Sequence, residues 1–263
     1  MSYYPETETL PPLGALCLDY TDDIHRPPGD AIVPESYKFP VIRQMVNNAT
    51  LWNVVDGDSF SEEKLQAYVD ACNKLEEKGC IGIITSCGFL AQIQSRLASR
   101  INIPVATSSL IQVPFILATM SPKKKVGVIT FDPSVLSKTH FNGVGVTDEL
   151  YSRVIVAGSK PNGPLQGIIV DGAPYVHEEL EKEFVDIAKE LVSSNKDIGA
   201  IVLECTQMPP FANAIQKAVG LPVYDAVTMI DWFYSGLHTR TLPEDANKEA
   251  GLRKRVRSEK EKK

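Results

Sequence analysis

The chain has 263 residues, 43% of them hydrophobic and 23% charged, and its 27 Lys and Arg against 33 Asp and Glu give a formal charge of −6. This composition belongs to a globular chain with an ordinary core. The acidic balance argues against nucleic acid as a partner, and no apolar run approaches the roughly 20 residues that span a bilayer.

The opening segment MSYYPETETLPP has neither the basic start nor the apolar stretch of a secretory signal. A cytoplasmic protein is the default expectation, with no membrane partner. Cys17, Cys72, Cys80, Cys87 and Cys205 are odd in number and irregular in spacing, with no CxxC pair. Neither a disulfide framework nor a zinc site is expected. The four histidines show no metal spacing, GVGVTD is not a dinucleotide fingerprint, and GxxxxGK[ST] is absent. No cofactor is expected.

In chain order, short β-branched runs read as strands buried on both faces: GALCLDY (14–20), LWNVVDG (51–57), CIGIITS (80–86), IPVATSS (103–109), KVGVITFD (125–132), SRVIVAG (152–158), IGAIVLE (198–204) and LPVYDAV (221–227). The segment 22–41 after the first run is rich in Pro and Gly and reads as a long loop at the binding end. Helical patterns follow at 61–79, opening at Ser61 and stopping at Gly79, and at 176–195. A last helix is expected over 229–240. Beyond Pro243 the chain is rich in Lys, Arg and Glu and reads as a solvated tail. Alternating strands and helices imply parallel sheet, an α/β class.

The sequence also repeats. IGIITSCGFLAQIQSRLASRINIPVATSS lies over GAIVLECTQMPPFANAIQKAVGLPVYDAV without a gap. The pairs Cys87 and Cys205, and Pro104 and Pro222, are each 118 residues apart (205 − 87 and 222 − 104). Upstream, GALCLD (14–19) resembles GVITFD (127–132), and VVDG (54–57) resembles VIVAG (154–158). Two α/β halves are therefore expected, 10–118 and 119–225, with helix 226–240 packing back on the first half and 241–263 a charged tail.

Each repeat cysteine follows a strand and opens a helix. In open parallel sheets that is the ligand-binding edge, where free N–H groups and the helix dipole lower a thiol's pKa. Two sulfurs facing one another across the crevice between the halves can remove a proton from one face of a carbon acid and return it to the other. The N–H groups of Gly88, Phe89, Thr206 and Gln207 can hold a carboxylate whose charge grows as that proton leaves. Cysteine is also a common core residue. The retention of a thiol at matched positions, TSCGF against LECTQ, favours chemistry for Cys87 and Cys205. Cys17, Cys72 and Cys80 read as core.

With TSCGF in one half and ECTQMPP in the other, residues 10–240 resemble the aspartate/glutamate racemase superfamily. That group covers amino-acid and hydantoin racemases, maleate isomerases and arylmalonate decarboxylases. The resemblance implies two pseudo-symmetric flavodoxin-like halves, each a parallel sheet flanked by helices, with the active site between them. It implies a cofactor-independent isomerase, a racemase or epimerase acting by two-thiol proton transfer on a small carboxylate. A maleate-isomerase-like or decarboxylase-like enzyme, a non-catalytic small-acid binder and a thiol redox protein stay open beside it. Amino-acid racemases of the group usually carry Asn-Thr after the first cysteine, His or Glu after the second Cys-Thr, and Asp-Ser after the first strand. Here these positions hold Gly88-Phe89, Gln207 and Asp19-Tyr20, which points to a bulkier or less zwitterionic substrate than aspartate.

The remaining candidates lie at the same edge. Arg26 reads as a carboxylate clamp or a plain surface arginine. Asp19 reads as an amine anchor or a turn cap. Ser86 precedes the first cysteine. Thr130 occupies the matching strand end of the second half, where by resemblance a hydroxyl contacts a carboxylate. The oligomeric state is open, dimers being common in general.

Overall fold

A computed structural model describes residues 9–55 and 60–240. The first half runs β1 (Leu13–Cys17), β2 (Val41–Met45), α1 (Leu51–Val54), α2 (Glu62–Glu77), β3 (Ile83–Thr85), α3 (Gln94–Ala98), β4 (Val105–Ala106) and α4 (Val113–Thr119). The second runs β5 (Lys125–Thr130), α5 (Lys138–Gly143), α6 (Asp148–Tyr151), β6 (Val154–Gly158), α7 (Pro164–Asp171), α8 (His177–Ser194), β7 (Ile198–Leu203), α9 (Ala212–Val219) and β8 (Val223–Tyr224). α10 (Ala226–Leu237) closes the compact unit Thr9–His238. All strand pairs are parallel, and the two sheets share one order: β2-β1-β3-β4 and β6-β5-β7-β8. That is the start of the flavodoxin-type order 2-1-3-4-5, whose ligand crevice opens where the order reverses, between the first and third strands.

The repeat is visible in the packing. Gly14 in β1 and Gly127 in β5 are matched positions. A methyl on Gly14 would come within 2.7 Å of the Leu75 side chain of α2, and one on Gly127 within 2.8 Å of Leu191 of α8. Each half thus uses a bare backbone on its central strand to seat a helix leucine against the sheet. Every residue of β1 and five of the six in β5 are buried, as expected for strands covered on both faces.

Two elements differ from the sequence reading. LWNVV forms α1 rather than a strand. Thr50 Oγ1 caps it by accepting the Asn53 N–H at 3.2 Å, and Leu51 and Val54 bury one face while Trp52 stays exposed. The real partner of β1 is β2, Val41–Met45, in register Leu13 with Val41. It follows the Pro-rich segment and carries Arg43 and Gln44, an edge strand too polar to stand out. Asp56 and Gly57 of the expected strand, and the charged tail 241–263, lie outside the described residues.

The halves meet along a tight seam. Thr206 Oγ1 donates to the Ser86 carbonyl at 2.8 Å, and Ser109 Oγ to the Leu203 carbonyl at 2.7 Å. A methyl on Gly143 of α5 would strike the Ala91 carbonyl at 2.1 Å. α10 returns to the first half, where the Tyr234 hydroxyl donates to the Pro11 carbonyl at 2.8 Å and its ring stacks on Phe39.

Candidate functional site

The carboxyl ends of the four central strands converge on one cavity. Tyr20 follows β1, Ser86 and Cys87 follow β3, Phe131 follows β5, and Glu204 and Cys205 follow β7; all line it. Arg26, Gly88, Phe89, Thr206, Gln207, Leu51, Val55 and Ile169 complete the wall of a small cavity of about 20 Å³. Both cysteines are free thiols, 6% and 9% exposed.

Arg26 is held from behind. Its Nε donates to the Thr21 carbonyl at 2.9 Å and its Nη1 to Asp30 Oδ2 at 3.0 Å, leaving Nη2 without a protein partner among the described residues. Asp30 is fully buried and also accepts the Ile32 N–H. The loop 22–41 is therefore folded around this pair, with Gly29 supplying a left-handed turn at φ 99°. The outcome is one immobilised guanidinium edge in a wall otherwise rich in rings and thiols.

Electrostatically the cavity disfavours negative charge. Burial first, and the Glu204 carboxylate second, push Cys87 up to about 12; the Phe89 N–H and Arg26 oppose without reversing this. Burial and Glu204 likewise hold Cys205 well above its ordinary 9.0, against the Gln207 N–H. Burial lifts Glu204 itself from 4.5 to about 7, although Thr130 and the Phe131 N–H stabilise its anion. Tyr20 is raised by burial and then by the two thiols. The expectation of depressed thiol pKa values is thus corrected. Gly88–Ile93 after Cys87 is a 3-10 turn rather than an α-helix with a full dipole, and one or two N–H contacts do not outweigh desolvation and a neighbouring carboxylate.

Of the residues singled out in the sequence, Arg26, Ser86, Cys87, Gly88, Phe89, Cys205, Thr206 and Gln207 come together here. Thr130 lies one layer deeper, its hydroxyl donating to Glu204 Oε2 at 2.8 Å. Asp19 is exposed and does not line the cavity. Ser86 Oγ accepts the Leu18 N–H at 3.1 Å, tying β3 to the end of β1. Tyr20, Phe131 and Glu204 were not singled out. Glu204 had a signal, a lone carboxylate closing the apolar run IGAIVL. Among the described residues no three His, Cys, Asp or Glu side chains gather as a metal-ligand group, and no helix is long and apolar enough to cross a membrane.

Comparison with known proteins adds two relations. The chain is 31% identical over 228 residues to a dimethylsulfoniopropionate lyase of Durusdinium sp. clade D, covering 85% of this chain and 74% of that protein. It is 30% identical over 234 residues to dimethylsulfoniopropionate lyase 7 of Emiliania huxleyi (strain CCMP1516), covering 86% and 67%. No family model matches. Among solved structures, unliganded arylmalonate decarboxylase superposes with a TM-score of 0.53 at 13% identity, covering 86% of this chain and 92% of that one. Allantoin racemase of Pseudomonas fluorescens superposes with a TM-score of 0.53 at 16% identity, covering 86% and 90%. These likenesses establish the fold: two parallel α/β halves arranged as in the decarboxylase and racemase structures.

Proposed function

The chain belongs to the dimethylsulfoniopropionate lyase family, and from that premise we propose that it cleaves dimethylsulfoniopropionate by β-elimination, releasing dimethyl sulfide and acrylate. The isomerase expectation, racemase or epimerase, is corrected by these relatives, which are named as lyases. The fold and the paired thiols misled because both chemistries begin alike, with removal of a proton from the carbon next to a carboxylate. A racemase returns that proton. Here the electron pair expels a neutral sulfide from the neighbouring carbon, and no carbanion remains to be reprotonated.

The observation that carries this reading is the cavity's mixed lining, one guanidinium among three aromatic rings and two thiols. The substrate has a carboxylate at one end and a sulfonium cation at the other. Arg26 offers its free Nη2 edge to the carboxylate. The rings of Tyr20, Phe89 and Phe131 supply faces that attract a cation without neutralising it. The thiolate of Cys87 takes the proton from C2 while the C3–S bond breaks and its pair departs with sulfur. A base of this kind contributes about 10²–10⁴-fold in rate. Arg26 also steadies the charge that builds on the carboxylate as the proton leaves.

The test is direct. Purified protein with dimethylsulfoniopropionate should release dimethyl sulfide into the headspace and acrylate into solution in equal amounts. Cys87→Ala should lower both about 10³-fold or more. Absence of either product from the wild type, or a Cys87→Ala variant as active as the parent, overturns the reading.

A further inference from the structure

Among the described residues the cavity wall holds one cationic side chain, Arg26, and one carboxylate, Glu204. Glu204 is 1% exposed. Thr130 donates to its Oε2 at 2.8 Å, but Oε1 has no hydrogen-bond partner. The fold keeps room for that oxygen. Gly88, in the same wall, is not in the left-handed region, so its missing side chain serves space rather than conformation. A methyl there would come within 2.2 Å of Oε1 and 2.4 Å of the Glu204 carbonyl. The donors of the wall do not turn to it. Arg26 bonds Thr21 and Asp30 instead, and Gln207 Nε2 is itself without a partner. A buried carboxylate oxygen with neither donor nor counter-charge is costly, and a ligand that brings the missing charge offsets that cost.

We infer that Glu204 is the counter-anion of the substrate's sulfonium, and that it sets the site's preference for a zwitterion over a dicarboxylate. This deepens the lyase reading and rests on it. A sulfonium has no N–H or O–H to give, so a carboxylate meets it by charge and through the polarised C–H groups around sulfur. A ligand with a second carboxylate would set like charge against Glu204 in a dry site. The free space of about 20 Å³ suits one water, so the wall must part for the substrate, and the orphaned oxygen marks where the positive charge comes to rest. That charge is lost as the C3–S bond breaks. The pairing therefore favours bound substrate over the transition state, lowering KM without lowering the barrier that follows.

Two ligands that need no turnover separate charge from shape in titration calorimetry. One is 3-(trimethylammonio)propanoate, an onium with no sulfide to expel; the other is 4-methylpentanoate, with an uncharged tail. Glu204→Gln should weaken the onium about 30-fold and the uncharged ligand by less than about 2-fold. Burial keeps Glu204 protonated to about 7, so onium binding to the wild type at about pH 6 should expel close to one proton, read from buffers of different ionisation enthalpy. The other titratable groups that feel this carboxylate are Cys87 beyond β3, Cys205 beside it and Tyr20 beyond β1, and burial holds all three neutral in that range. Glu204→Gln should therefore expel none. With dimethylsulfoniopropionate, Glu204→Gln should raise KM about 30-fold and leave kcat no lower. Equal weakening of both ligands, unchanged onium binding, or proton release that persists in Glu204→Gln overturns the counter-anion. If onium binding behaves as stated and no dimethyl sulfide is released, the lyase reading falls alone; if wild type and Glu204→Gln release dimethyl sulfide with the same KM, the counter-anion falls alone.

Discussion

The two halves present the same corner with different contents. After β3 the chain reads Ser86-Cys87-Gly88-Phe89; after β7 it reads Glu204-Cys205-Thr206-Gln207. The thiols coincide, while everything around them has diverged. The first corner brings a ring and a bare backbone, with the Arg26 loop beside it. The second brings a carboxylate and hydroxyl and amide groups, with Thr130 behind. A symmetric pair of acids and bases suits inversion of a carbon centre. An asymmetric site suits a reaction with a direction, in which one face gives up a proton and a leaving group departs.

Thiol deletion should break that comparison most sharply. Cys87→Ala should lower dimethyl sulfide release about 10³-fold or more, and Cys205→Ala less, about 10²-fold, in matched headspace assays. Equal losses would mean that the corners remain equivalent.

The second effect is on stability. Folded Glu204 keeps its proton to about 7, against 4.5 in the unfolded chain. Its contribution is complete below the unfolded value and is lost as pH rises through the folded one. Glu204→Gln should therefore gain up to about 3 kcal/mol over wild type at pH 8 and little at pH 4, by urea unfolding at both. A gain that does not depend on pH would deny that the carboxylate is what strains the second corner.

Next comes the cation. Arg26→Lys keeps the charge but loses the planar fork, and should raise KM roughly 10-fold with a smaller change in kcat. Tyr20→Leu removes one of the three rings lining the cavity and should raise KM about 5-fold, with an uncharged isostere of the substrate binding equally well to both proteins.

Much of this was legible in the chain. The equal spacing of Cys87 and Cys205 located the thiols, and β5, β6 and β7 stand where their apolar runs predict, whereas of LPVYDAV only Val223–Tyr224 is strand and Ala226 already opens α10. What escaped was decided by partners distant in sequence. LWNVV is β-branched enough to mimic a strand, and only the Thr50 cap and the burial of Leu51 and Val54 make it α1. β2 carries half-exposed polar residues at a sheet edge, so periodicity gave it no signal. The direction of the thiol pKa values was misread because burial, the larger cause, and the approach of Glu204 to Gly88 across 116 residues (204 − 88) both come from tertiary packing and leave no local pattern. The reaction class was likewise hidden, since residues that remove a proton do not say where the electrons go next.

The seat of Gly143 on the Ala91 carbonyl has a consequence for how a substrate arrives. Backbone meets backbone there, with no side chains to slide, and the Thr206–Ser86 and Ser109–Leu203 bonds bolt the same junction. Clamshell opening, the usual admission gesture of two-lobed enzymes, would have to tear this weld. The two cysteine corners, Ser86–Cys87 and Cys205–Thr206, are therefore tied at a fixed separation by bonds made at the corners themselves.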